Sequence, residues 1–269
     1  MVRPLLTEAG WELHCLDREP AGDLDVMPID VLDADALDAA TVGCGAVVHL
    51  AGIPTEAPLD KILEANVQGT QAVLDAALRR GIRRVVLASS NHAVGFQERS
   101  DIDLGVDIRP RPDSFYGVSK VAVEALGQLY ADRFGLEVVS MRIGSCRPEP
   151  RSIRELSTWL SPGDAARLLA ASLTGHVRGH VIVYGISANT RAWWDLSSAR
   201  ELGYDPQDDA ESFAGQVPPE HTRTPRTGVE PPPAPERVGG PFTSLPLGGS
   251  FQSFESFQPA GRPMGFDQH

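Results

Sequence analysis

Two short stretches hold the residue types best suited to chemistry: Tyr116-Gly-Val-Ser-Lys120 and, upstream of it, Ser89-Ser90-Asn91-His92. A Tyr and a Lys four residues apart on a helix lie one turn apart on one face. In that placement the ammonium favours the phenolate. It is expected to draw the Tyr116 pKa down from ~10 toward working pH, where the phenolate can act as a general base. A serine hydroxyl from a neighbouring strand end would hydrogen-bond the same substrate oxygen and keep it in line. A Tyr-x-x-x-Lys pair alone is common on helices, so its surroundings carry the reading. The serine pair closes an apolar run, Val85-Val86-Leu87-Ala88, and a second apolar run follows the Tyr-Lys helix. The pattern predicts a dehydrogenase site.

Such a site needs a sheet edge and a helix N-terminus side by side. Strand-like segments fall at 11–16, 46–50, 84–89, 136–142 and 181–184, and helical ones at 33–42, 59–80, 115–134, 163–173 and 192–202. Strands that are apolar throughout and alternate with helices indicate a parallel sheet covered on both faces. Right-handed crossovers then give a doubly wound, Rossmann-like α/β fold.

Several polar residues sit at strand ends of this layout. Asp17 ends the second strand of such a fold, where an acid accepts hydrogen bonds from an adenosine ribose and repels a 2′-phosphate. An ordinary turn Asp gives the same pattern. Asp30-Val31 follows a short third strand and suits an adenine edge, although turn chemistry explains Asp30 equally. His49-Leu50-Ala51-Gly52 closes a strand with small residues that let backbone approach a cofactor. Asn66, inside an apolar helix, is expected to tie backbone groups together near the site. A strand-end Ser145 and a loop Arg154 suit a carboxylate, because a guanidinium grips one bidentately; a solvated Arg has the same spacing. The seven histidines show no paired ligand spacing, so no metal is expected.

The chain has 269 residues, 42% of them hydrophobic, and a formal net charge of −12. The acidic balance argues against nucleic acid and anionic membrane surfaces as partners. No stretch approaches the ~20 apolar residues of a membrane span, and no signal peptide is evident. Cys15, Cys44 and Cys146 are scattered without ligand spacing, which reads as reduced thiols in a cytoplasmic protein.

Taken together, Ser89 to Phe96, Tyr116 to Lys120, Leu129 to Gly135, Arg142 to Ser145, Ser157-Thr158-Trp159-Leu160, Trp193-Trp194-Asp195 and Leu202 to Pro206 resemble the uronate dehydrogenases. These belong to the extended short-chain dehydrogenase/reductase, or NAD-dependent epimerase/dehydratase, superfamily. The likeness covers about residues 2–214. It implies NAD-dependent oxidation of the C1 hydroxyl of a hexuronic acid to the aldarolactone. In that scheme Tyr116 is the base, Lys120 its electrostatic partner and a ribose ligand, and Ser90 the hydroxyl that positions the oxygen. Asn91, His92, Ser145 and Arg154 match substrate-contacting positions, with Arg154 facing the carboxylate. Asp17, Asp30, Val31, Leu50, Ala51 and Ile143 match cofactor-lining positions. Pro54 departs from the family, which places a sugar-contacting Ser there. The runner-up readings are a nucleotide-sugar epimerase or dehydratase, and a non-catalytic remnant that binds cofactor weakly. A homo-oligomer is compatible with either.

Two regions depart from the layout. Residues 2–10 read as the back half of a helix ending at Gly10, where such chains normally place a first strand and a Gly-rich loop whose amides hold a pyrophosphate. The expectation is an N-terminally truncated domain over 1–214, with weakened cofactor binding, a vacated central strand position and marginal stability. From Pro218 onward lie 11 of the chain's 22 prolines, mixed with Gly, Ser and Gln and with Phe242, Phe251, Phe254, Phe257 and Phe266. Residues 215–269 are therefore expected to form a disordered tail.

Overall fold

The computed structural model describes residues 1–20, 22, 23, 25–99, 104–217 and 237–249. In chain order the elements are α1 (Val2–Glu8), β1 (Cys15–Asp17), β2 (Val26–Pro28), α2 (Ala34–Ala40), β3 (Ala46–His49), α3 (Leu59–Ile62), α4 (Gly69–Arg79), β4 (Arg84–Ser90), α5 (Phe115–Phe134), β5 (Glu137–Ile143), β6 (Ser145–Cys146), α6 (Glu155–Thr158), β7 (Trp159–Leu160), α7 (Pro162–Thr174), β8 (His180–Gly185) and α8 (Ser197–Glu201).

The main sheet runs β3-β4-β5-β8, all parallel. Its strands are apolar on both faces because helices cover both. Val85, Leu87 and Val138 face Leu74 and Ala77 of α4 and Val123, Tyr130 and Ala131 of α5. The alternate residues Val86, Val139, Met141 and Val183 face Leu168 and Leu169 of α7, with Leu6 of α1 and Ala199 of α8. This is the doubly wound α/β arrangement expected from the alternation of elements.

β1 and β2 form a separate parallel pair. Side chains, rather than backbone hydrogen bonds, join it to the main sheet among the described residues. Leu16 of β1 and Val47 of β3 pack on one cluster, Leu37, Val73 and Ala76. Leu13 and Val48 pack on the opposite core. The strand expected over 11–16 is regular only from Cys15, because β2 offers it just three partners.

Three further differences have local causes. The helix expected over 59–80 contains a π-helical turn, Leu63–Gln68, between α3 and α4, a feature that often marks functional sites. The helix expected over 192–202 is helical only as α8. Ahead of it, Trp193 and Trp194 are buried with Tyr184, Ile186 and Val94, and Trp194 stacks on Tyr184 at 5.2 Å. Burying two indoles outweighs the local helix preference there. Residues 237–249, within the stretch expected to be a disordered tail, lie against the domain, with Val238 fully buried. The rest of that stretch beyond Val217 lies outside the described residues. Among the described residues no helix is long and apolar enough to cross a membrane.

Candidate active site

β4 ends in Ser89-Ser90 and passes directly into a 3-10 turn, Asn91–Val94, whose start Ser90 caps by accepting from the His92 N–H at 3.2 Å. Opposite stands the start of α5, capped by the Ser114 Oγ, which accepts from the Gly117 N–H at 2.9 Å. Gly117 is a glycine for a steric reason: a Cβ there would lie 2.5 Å from the His92 carbonyl oxygen. The missing side chain lets α5 rest on the turn and brings Tyr116 and Lys120 beside Ser90.

Asn66, in the π-helical turn, fixes the far wall. Its Oδ1 accepts from the Ile53 N–H at 2.7 Å, and its Nδ2 donates to the Ile53 carbonyl at 3.1 Å and to the Ser119 Oγ at 2.9 Å. It thus ties the loop after β3 to α5. These elements and the segment 237–249 enclose a cavity of about 890 Å³, within the usual range for small-molecule sites.

Ser90, Asn91, His92, Tyr116, Lys120, Ser145, Arg154, Leu50 and Ile143 all line this cavity. The other four residues assigned by resemblance do not. Asp17 is exposed and accepts from the Glu19 N–H, and Asp30 accepts from the Leu32 N–H, both at 2.9 Å, as turn residues do. Val31 packs toward Gly69 and the helix cluster, and Ala51 is exposed. Asp17 ends β1 and Ala51 follows β3, while Asp30 and Val31 follow β2.

The electrostatics differ from the sequence expectation. Burial pushes the Tyr116 phenol above its ordinary value; a hydrogen bond with Ser90 opposes this, and the charge of Asp113 adds to it. Lys120 does not produce the lowering expected of it. Its ammonium lies 5.4 Å from the Tyr116 ring centroid and donates to the Ala88 carbonyl at 2.7 Å. Burial pulls its own pKa down to about 8. Arg154 is half-buried, and desolvation lowers its pKa to about 10; its Nε and Nη2 donate to the Val238 carbonyl. The Ser145 hydroxyl pairs with the Thr158 hydroxyl at 2.9 Å. Asn91 Nδ2 and Thr55 Oγ1 are buried without a protein partner among the described residues, and Pro54 lines the cavity where the resemblance expects a Ser.

Several site residues carry no sequence signal of their own. Glu56 is buried; its Oε2 accepts from the Tyr116 N–H at 3.0 Å and its Oε1 from the Gly248 N–H at 2.9 Å. The segment 237–249 is also held by Gly239 N–H on the Gly95 carbonyl at 2.9 Å and by Arg237 with Glu98 at 2.8 Å. It lays Phe242 on the His92 ring, centroids 3.9 Å apart. Asp113, one residue before the α5 cap, holds His92 Nδ1 at 2.8 Å. Its place beside the Tyr-Lys motif is the one clue the sequence offered. Among the described residues no group of three or more His, Cys, Asp or Glu could hold a metal ion.

Comparison with known proteins agrees with this architecture. The sequence profile of the NAD dependent epimerase/dehydratase family matches residues 2–204. The chain is 41% identical over 223 residues to the uronate dehydrogenase of Agrobacterium fabrum (strain C58), covering 81% of this chain and 80% of that protein. Among solved structures, the glucuronic acid dehydrogenase of Chromohalobacter salexigens superposes with a TM-score of 0.81 at 34% identity, over 91% of this chain and 92% of the other. A mutant uronate dehydrogenase from Agrobacterium tumefaciens complexed with NAD gives 0.72 at 40% identity, over 82% of each chain. With the family profile matching residues 2–204 and relatives matching most of the chain, this chain belongs to the NAD-dependent epimerase/dehydratase family.

Proposed function

We propose that the protein oxidises the C1 hydroxyl of a hexuronic acid to its aldarolactone with NAD. One observation carries the reading. A buried Tyr-Lys-Ser group and a partly buried arginine line a single cavity, in a chain whose relatives include uronate and glucuronic acid dehydrogenases. When bound, NAD supplies the hydride acceptor. Leu50, Ile143, Tyr116 and Lys120 are the residues that would hold its nicotinamide end, with Lys120 toward the ribose. The buried, partnerless Asn91 Nδ2 supports a polar ligand in the cavity.

Ser90 and Tyr116 position the C1 oxygen. As a hydride leaves C1, the O–H proton passes to the Oη of Tyr116 in its phenolate form, and C1 becomes the lactone carbonyl. Arg154 grips the carboxylate. Burying its guanidinium is costly, and an anion in the cavity would offset that cost. Phe242, lying against the His92 ring, lines the same cavity. The substrate is thus a small sugar acid, and the three unpaired cysteines suit a reducing cytoplasm.

The test is NADH formation with glucuronate and galacturonate. Tyr116→Phe should lower turnover by ~10²–10⁴ with an unchanged melt, since only a hydroxyl is removed. Because burial holds the phenol above its ordinary value, kcat/KM should climb as pH rises. No turnover with either hexuronate, but turnover with a nucleotide sugar, would replace this reading with the epimerase or dehydratase one.

A further inference from the structure

Asp113 has a fully buried side chain at the junction of three segments. Its Oδ2 meets His92 Nδ1 at 2.8 Å, and its Oδ1 accepts from the Ser114 Oγ at 2.9 Å. Glycines surround it: a Cβ on Gly95 or on Gly239 would overlap the carboxylate, and one on Gly117 would come within 3.1 Å of Oδ1. The 3-10 turn, the start of α5 and the segment 237–249 therefore close around this one group. The imidazole it holds is fixed on its other sides too. Phe242 lies against it at 3.9 Å and 31°, and Tyr116 meets it edge-on at 5.7 Å.

An ionised carboxylate only accepts hydrogen bonds, so the nitrogen facing it must carry the proton. In a neutral imidazole the other nitrogen is then an acceptor. His92 lines the cavity, and Nε2 is its remaining polar ring atom. We propose that Asp113 is a positioning residue that holds His92 as the Nδ1–H tautomer, so that Nε2 accepts a hydrogen bond from a ring hydroxyl of the sugar. The inference rests on the sugar-acid reading for its ligand, while the tautomer is a property of the free protein.

The geometry also dictates how the site responds to Asp113→Asn. The Ser114 hydroxyl donates to Oδ1, so it retains the amide oxygen at that position. The amide nitrogen must then occupy the Oδ2 position, where it donates to His92 Nδ1 and forces the proton onto Nε2. An acceptor becomes a donor with no change in shape. The sugar hydroxyl, which can donate or accept, must then turn to accept from Nε2 and give up the donation the wild-type site fixes, and a wrong histidine tautomer is known to disable a site of intact geometry.

The experiment is ¹⁵N NMR of the histidine rings in the whole protein, with His92 assigned from the spectrum of His92→Gln, together with kinetics on glucuronate and its single-position deoxy analogues. The expected result is a protonated Nδ1 and bare Nε2 in the wild type, inverted in Asp113→Asn. The variant should lose roughly 10-fold or more in kcat/KM. It should also lose the wild type's discrimination against one deoxy analogue, while its melt and the other histidine signals stay in place. A bare Nδ1 in the wild type, or a ring pattern unmoved in the variant, overturns the proposal. If Asp113→Asn fails to fold, the wild-type spectrum and the wild-type deoxy series still decide. Absence of turnover with any hexuronate removes the sugar half and the proposed function together, whereas the ring pattern judges the Asp113 role separately.

Discussion

Replacing Glu124 by Gln should destabilise the fold far more than its isosteric shape suggests. Glu124 lies on α5 one turn beyond Lys120, with its carboxylate in the core. Its Oε1 accepts from the Ser89 hydroxyl at 2.6 Å and from Arg142 Nε at 2.9 Å, and its Oε2 accepts from Arg142 Nη2 at 2.9 Å. The two side chains are 6% and 2% exposed. Burial works against the Arg142 charge, but the hydrogen bonds and attraction of Glu124 outweigh it and raise the guanidinium pKa. Gln keeps the volume, so no cavity contributes. It removes the counter-charge and turns one acceptor into a donor aimed at a donor. Breaking a buried pair from one side costs ~3–5 kcal/mol. Against a total stability of ~5–15 kcal/mol, that is a drop in Tm of roughly 6–20 °C for a domain of this size. Urea unfolding should show a lower midpoint with the slope unchanged. The double variant Glu124→Met, Arg142→Met, which removes both charges, should recover most of the loss. A Glu124→Gln midpoint within ~1 kcal/mol of wild type, or a double variant less stable than the single one, would refute the argument. Because Ser89 adjoins Ser90, the single variant should also lower kcat under conditions where it is folded.

Two further outcomes follow from other buried groups. Glu56→Gln leaves one carboxyl oxygen to serve both the Tyr116 and Gly248 amides, a loss of ~1–3 kcal/mol; hydrogen exchange at Gly248 should accelerate and KM should rise, and unchanged exchange would contradict this. His49 is buried with its pKa pulled down to about 4, by burial first and the Lys120 charge second. Above pH ~6.5 the ring is neutral in both states and adds no slope. Below that the unfolded chain binds a proton that the folded chain refuses until about pH 4, so stability should fall with pH across this window, by up to about 3 kcal/mol. Relative to His49→Leu the wild type should show that extra loss, and parallel stability curves would contradict it.

The α/β class, the strands at 84–89 and 136–142, and the helix Phe115–Phe134 were legible because each is a local pattern: apolar runs covered on both faces, and a helix with a Ser cap and a Gly stop. The Tyr116–Lys120 pair was legible for the same reason, since four-residue spacing on a helix fixes a shared face. Asn66 could be read as a tie because a lone polar residue in an apolar helix needs partners. What the chain did not disclose depends on residues far apart meeting. Glu56 and Gly248 are separated by 192 positions, and Arg154 and Val238 by 84. No periodicity encodes such contacts, and a Pro- and Gly-rich stretch looks the same whether or not it docks. Phe242 reaches the site because that stretch buries Val238 and exchanges hydrogen bonds with Gly95, Glu56 and Arg154. The sign of the Tyr116 shift was equally out of reach. Residue types suggested a cation lowering it, but the degree of burial, which only packing sets, made desolvation the larger effect and sent Lys120 to the Ala88 carbonyl. Sequence alone determined which side chains could do chemistry; the tertiary structure decided which of them share one cavity, because burial and long-range hydrogen bonding are properties of the folded chain.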